Sequence, residues 1–450
     1  MQKLNIKKGV RFRIAGQPDP TIKPLDDPSH VAVLPERIPH IKPRLHVKEG
    51  DRVQIGSLLF EDKRNPRFKF LSPGGGTVER IQLGPRRVIQ AVVIRRECDN
   101  EPQTSFTPVS KETLGQIKAA QLKDLILEGG LWWVFRQLPF RDLPDPETNP
   151  PLILVGLDAK EPFTPSPAVY LKDHVDLLDY GLKALSRLTD NVVIFSSADS
   201  EKALGPHRNI LTHKVTGHYP SDDPGTVLYH IKRSSADNRA WFITGQDLLL
   251  LAQLLSQGRY PVQRIVSVAG SAAPVRHHVQ VRLGAPVAHI LDNAPLPDDH
   301  RLIVGGLLRG YASALDGFMG LYETALNIIP EGGRADFLAL FKPGFGKPSY
   351  SRIFASKFNP TPLTYDCKIN GDQRACIACM HCADVCPVQM WPQMVYKAIQ
   401  AQEVEEYLEL GLLDCVECGL CSYVCPSKIE LRQTFVQTKA MYARELSKKV

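Results

Sequence analysis

CIACMHCADVCP at residues 376–387 and CVECGLCSYVCP at residues 415–426 decide how the C-terminal part of this chain folds. Both read C-x2-C-x2-C-x3-C-P, and together they hold eight of the chain's 10 cysteines. Tight local turns bring thiolates at this spacing into one small volume, where three of them can wrap an iron-sulfur cubane while the fourth ligand comes from elsewhere. In two-cluster ferredoxins the cysteine before the proline serves the neighbouring cluster. The pattern therefore predicts one 4Fe-4S cluster on Cys376, Cys379, Cys382 and Cys425 and a second on Cys415, Cys418, Cys421 and Cys386. Structural zinc also uses C-x2-C pairs, but as two separated pairs around one tetrahedral ion, so the triplets and Cys-Pro ends weigh against it. Disulfides are disfavoured in a chain whose start, MQKLNIKKGVRF, has no apolar core or cleavage site of an export signal. Cys98 and Cys367 lie outside both copies and read as spare thiols.

The stretch between the copies, from Trp391 to Cys415, is rich in helix formers and meets few turn signals before Gly411, which predicts one helix of several turns or two short ones. After Pro426 a further helix is expected, with Ser427 as N-cap and Glu430 completing a capping box. Residues 366–450 thus read as a helical, ferredoxin-like double-cluster domain.

With 450 residues the chain is too long for one hydrophobic core, and 43% hydrophobic against 23% charged residues fits a folded globular protein. No apolar run reaches the length of a membrane span. Cytoplasmic residence is the expectation. The net charge of +7 is spread along the sequence, with no aromatic-interleaved basic motif to suggest nucleic-acid binding.

Upstream of the cysteines the organisation is multidomain α+β. Residues 1–42 form an N-terminal segment. Residues 43–100 alternate short strands with Gly and Pro, as in LHVKEGDRVQIGSLLFEDK and FLSPGGGTVERIQ, a layout resembling the barrel-sandwich hybrid of lipoyl domains. Lys63 falls near a hairpin tip, where such domains carry their modified lysine, but the surrounding residues depart from carrier motifs and a solvated tip is the reading taken. Residues 101–258 alternate strands (LILVGL, NVVIFSS) with helices such as His174 to Leu188, which predicts a parallel, Rossmann-like α/β sheet. No G-x-G-x-x-G or Walker A sequence follows these strands. Glu128-Gly129-Gly130 precedes LWWVFRQLPF, and Trp132, Trp133 and Phe135 read as core residues rather than as a phosphate cradle. Residues 259–331 give a small β module, and residues 332–365 a linker or docking arm.

Several stretches taken in order, IKKGVRFRIAGQP, HVKEGDRV, LLFEDKRNP, the SP-GGG-TV turn and GGLWWVFRQLPF, resemble the A subunit of the sodium-translocating NADH:quinone oxidoreductase. The paired cysteine motifs are similar to those ending the C subunit of the related Rnf complex. The resemblance implies a β-grasp-like fold for residues 259–331. It also implies a peripheral electron-transfer subunit on the cytoplasmic side of the bacterial inner membrane. Its partners would be other subunits of a respiratory complex that oxidises NADH, reduces quinone (ubiquinone) and transports sodium; the isolated chain would not be active alone. Rnf-type subunits hold flavin and NADH at a GLGGAGFPT loop. Here GGLWWVFRQLPF takes that place, so neither FMN nor NAD binding is expected. No catalytic residue is assigned, and none of His46, His218, Trp132 and Trp133 is selected as a quinone contact. The alternatives are an Rnf-type NADH and flavin input subunit, or a scaffold whose clusters never change redox state.

Overall fold

Apolar runs bounded by turn residues become buried strands once both sheet faces are covered. In the computed structural model, which describes residues 1–97, 101–158, 160–197, 202–332, 341, 344–350, 354–369 and 371–449, LILVGL supplies the strand Ile153–Gly156, every residue of which is buried. It pairs in parallel with Val192–Ser197 on one side and Trp241–Thr244 on the other. His213–Gly217 and Gln2–Ile6 extend this sheet in parallel, and the two-residue strand Arg136–Gln137 closes the opposite edge antiparallel. The expectation of a parallel sheet therefore needs an antiparallel edge. A long-range partner also enters from the N-terminal segment, because Ile6 is more stable buried beside His213–Gly217 than in solvent.

Local chemistry sets the helix ends around this sheet. Thr244 accepts a hydrogen bond from the Asp247 amide at 3.2 Å, starting the helix Gly245–Gln257, which stops where Gly258 turns left-handed at φ 64°. The helix predicted from His174 to Leu188 spans Val175–Leu185 and packs against Gly245–Gln257.

Residues 30–96 form the β sandwich. One layer has four strands in the order His30–Val33, Ile89–Arg96, Gly76–Leu83, Arg52–Val53; the other has three, Pro43–Leu45, Leu58–Asp62, Asn65–Leu71. The first strand comes from the expected N-terminal segment. Lys63 and Arg64 form the turn between Leu58–Asp62 and Asn65–Leu71, so the lysine does occupy a hairpin tip. That tip is tied down: Arg64 pairs with Asp62 and with Asp142, both at 2.7 Å. A second six-stranded sheet, Tyr311–Ser313, His300–Val304, Ala325–Pro330, Gln263–Ala269, His277–Arg282 and Ile22–Pro24, is mixed and again takes one strand from the N-terminal segment.

The aromatic segment after Gly130 joins these layers. Trp132, Trp133 and Phe135 are at most 1% exposed and lie in one apolar core with Leu71 of the β sandwich and Trp241 of the α/β sheet. The Trp132 indole N–H donates to the Pro144 carbonyl at 2.8 Å. Gly130 sits at φ 63°, and a Cβ there would come within 2.3 Å of Leu71, so glycine serves close packing between layers. Trp132→Ala should cost about 3–5 kcal/mol through cavity formation and loss of that hydrogen bond. Urea denaturation followed by fluorescence measures it, and an unchanged midpoint would contradict the packing role.

Candidate functional site: a duplicated cysteine cradle

The two cysteine motifs are separated by 39 positions, and the backbone repeats at the same offset. The short helix His381–Asp384 recurs as Leu420–Tyr423, and the helix Pro392–Gln400 has its counterpart in Leu431–Lys449. Left-handed residues recur too: Ala378 with Glu417, Met380 with Gly419, Gln389 with Lys428. Five of these six carry a side chain, at a cost of roughly 1–2 kcal/mol each. Alternating right- and left-handed residues turn successive peptide N–H groups into one concavity, the arrangement that suits anionic groups including iron-sulfur clusters.

Two small cavities open inside these turns. Cys376, Cys379, Cys382 and Cys425 line the first. Cys386, Cys415, Cys418 and Cys421 line the second, and Cys382 borders it as well. Each cavity thus has three thiols of one motif and a fourth that crosses over from the other, Cys425 in the first and Cys386 in the second, with Cys382 common to both linings. Among the described residues no three His, Cys, Asp or Glu side chains converge tightly enough to hold a single metal ion. The thiols surround a space instead, and a donor set of four sulfurs around a cavity fits an iron-sulfur cluster.

Burial pushes the Cys382 thiol up to about 11 and those of Cys386 and Cys418 to about 12. Amides of Val388 and Met390 oppose this at Cys386, as does that of Leu420 at Cys418. These sulfurs bear negative charge only when a metal replaces the proton. Cys367 stands outside both cavities beside Arg301 and Asp366, and Cys98 lies outside the described residues.

Of the two arrangements expected between the motifs, one longer helix or two short ones, the second is present, as Pro392–Gln400 and Val404–Glu409 broken at Gln402 with φ 62°. The expected start of the last helix is corrected. It begins at Leu431 because Lys428 at φ 57° cannot be helical, and the Ser427 hydroxyl donates to the Ala375 carbonyl at 2.8 Å instead of capping. That bond ties the two motifs together.

The cradles differ in surroundings. Ile377 in the first loop is 67% exposed, while its counterpart Val416 is 4% exposed, packed on the α/β layer. Asp223 anchors this docking. Arg141 donates to its two oxygens at 3.0 and 2.9 Å, Arg309 donates at 2.7 Å, and Arg141 also reaches the Val416 carbonyl at 3.0 Å. Asp223 is fully enclosed, yet the two arginines outweigh burial and hold its carboxyl down at about 2. Lys8 donates to the Ala383 carbonyl at 2.8 Å, and the His230 ring meets the Pro387 carbonyl at 3.0 Å. None of these partners was singled out from sequence; an aspartate preceding Pro224 reads only as a helix cap, which it also is. His46 pairs with Glu61 in the β sandwich, and His218 lines a groove with Arg11, Arg13 and Tyr423, so the structure does not gather the aromatics and histidines considered for quinone into one site.

A multidomain α+β chain with a duplicated four-cysteine cradle is similar in its cysteine-rich domain to iron-sulfur proteins. Residues 368–429 match the 4Fe-4S dicluster domain, residues 4–97 the NqrA N-terminal barrel-sandwich hybrid domain, and residues 117–260 the NqrA second alpha/beta domain. The chain is 31% identical to the A subunit of the Na(+)-translocating NADH-quinone reductase of Histophilus somni over 95% of its length and 96% of that protein's. The equivalent proteins of Rhodopirellula baltica (31%, covering 94% of each chain) and Vibrio anguillarum (31%, covering 96% and 97%) bear the same name and are similarly related. This chain belongs to the A-subunit family of the Na(+)-translocating NADH-quinone reductases. Among solved structures, an NAD+-reducing [NiFe]-hydrogenase in the H2-reduced state matches with a TM-score of 0.40 at 12% identity over 74% of this chain and 65% of that one, too distant to bear on function.

Asp223→Asn should weaken the docking by about 3–5 kcal/mol, because it leaves two arginine charges without their partner, and limited proteolysis should release the cysteine-rich domain earlier. In the native protein the carboxyl's folded value lies below its ordinary 3.8, so this contribution is complete above pH 3.8 and is lost as pH falls toward about 2. Unchanged proteolysis of Asp223→Asn would contradict the anchor.

Proposed function

We propose that this chain is the peripheral electron-transfer subunit of a sodium-translocating NADH:quinone oxidoreductase, relaying single electrons through two 4Fe-4S clusters. The observation that carries the reading is the pair of cavities: three cysteines of the first motif and Cys425 of the second line one, and three cysteines of the second motif and Cys386 of the first line the other, with Cys382 shared between them. On this reading Cys376, Cys379, Cys382 and Cys425 ligate an outer cluster, and Cys386, Cys415, Cys418 and Cys421 an inner one. When bound, each cluster supplies a one-electron couple. The thiols hold it, the left-handed turns aim peptide N–H groups at it, and the shared border at Cys382 keeps the two sites adjacent.

Family membership supports partners among the other subunits of the complex, and quinone as the complex's substrate. Attachment to the cytoplasmic face of the membrane would run through those partners, since no helix among the described residues is long and apolar enough to cross a bilayer. FMN and NAD are not ligands of this chain on the present reading. Trp132 and Trp133 fill the position where a glycine loop would let backbone amides approach phosphates. The sheet centred on Ile153–Gly156 is read as Rossmann-like and the mixed sheet of residues 259–331 as β-grasp-like, with residues 332–365 connecting to the cysteine-rich domain.

The assignment is tested by replacing one ligand of each cavity. Cys379→Ser and Cys418→Ser should each lose about half of the iron and acid-labile sulfide of the anaerobically purified protein. Full iron content in both variants would sink the assignment.

A further inference from the structure

The inner cradle is clamped in a way the outer one is not. Four successive carbonyls of its loop each accept a hydrogen bond from a side chain outside the loop. Lys439 donates to Cys415 at 3.0 Å, Arg141 to Val416 at 3.0 Å, Arg432 to Glu417 at 2.9 Å and the Tyr219 hydroxyl to Cys418 at 2.7 Å. Arg309 supports Tyr219 from behind at 3.1 Å, and Lys439 also pairs with Glu417 at 2.6 Å. Among the described residues no side chain donates to the equivalent carbonyls of residues 376–379, and the exposure of Ile377 leaves that loop facing solvent.

Two electrostatic consequences follow from this difference. A carbonyl held by an external donor turns its peptide plane so that the dipole's positive end, the neighbouring N–H, faces the cradle; the Glu417 amide lies 3.4 Å from the Cys415 sulfur. The donors also bring charge. Arg141, Arg309, Arg432 and Lys439 contribute four positive charges, against the negative charges of Asp223, Glu161 and Glu417 that they pair with. The balance is positive, in surroundings that water screens little. Hydrogen bonds toward sulfur, net charge and solvent exposure set the potential of a cluster, and donors with positive charge stabilise the reduced, more negative form.

We propose that Arg141, Arg432, Lys439 and Tyr219 act as positioning residues that raise the reduction potential of the inner cluster above that of the outer one. This rests on the relay reading above. An electron delivered to the solvent-facing outer site by a one-electron donor then passes inward: the outer cluster is oxidised by one electron as the inner is reduced by one, with no proton required for balance. The inner site, against the α/β layer, is where the electron rests.

The test is an EPR-monitored redox titration of the full-length, anaerobically purified protein, with iron and sulfide determined on the same samples. Two variants are used. Tyr219→Phe removes one donor and keeps the ring, and Arg432→Gln removes the charge of a half-buried side chain that donates to the Glu417 carbonyl. Two midpoints are expected. The higher should fall in each variant, by up to about tenfold in the reduced-to-oxidised ratio at fixed potential, about 59 mV for one electron, while the lower stays in place. Full cluster content with neither midpoint moving, or with only the lower one moving, would overturn the clamp and leave the relay reading intact. Absence of clusters from the native protein would overturn both.

Discussion

Asp223, ionised between Arg141 and Arg309, is the interaction on which the arrangement of this molecule depends. It joins three parts of the chain far apart in sequence: the segment after the tryptophan pair, the start of the helix Pro224–Ile231, and the loop after the strand His300–Val304. Through Arg141, and through Arg309 and the Tyr219 hydroxyl that Arg309 donates to, it reaches the second cysteine loop. A buried charge set of this kind contributes little net stability over an apolar packing, but it is costly to break and demanding in geometry. That combination suits a contact whose purpose is to hold one cradle in one place.

Duplication followed by unequal use describes the cysteine-rich domain. Both copies keep the spacing, the short helix and the left-handed turns, so each can form a cradle from its own backbone. Position in the assembly then separates them. Val416 is packed and Ile377 is open, and the four-donor clamp sits on the packed side alone among the described residues. The sequence repeat is symmetric; the electrostatics are not.

What could be read from sequence was whatever is local. The C-x2-C-x2-C-x3-C-P spacing fixes its own turns, and the crossed lining of the cavities follows from that spacing. The aromatic run after Gly130 was legible as core because indoles fill space. Long-range choices were not legible. Gln2–Ile6 and Ile22–Pro24 are too short and too weakly patterned to reveal which sheet they complete. The last helix starts at Leu431 and not beside Ser427 because the left-handed turn at Lys428, a property of the duplicated motif, overrides a locally good capping box. The clamp residues are ordinary arginines, a lysine and a tyrosine whose meaning appears only when the fold brings them to one loop.

On the proposed function, two clusters occupy the paired cradles side by side. The most direct measurement is the EPR spectrum of the dithionite-reduced protein, purified without oxygen, alongside its metal and sulfide content. About eight irons and eight sulfides per chain, with spectra broadened by magnetic coupling between neighbouring reduced clusters, are predicted. Zinc without sulfide, or a single uncoupled cluster signal at about four irons per chain, would contradict the account.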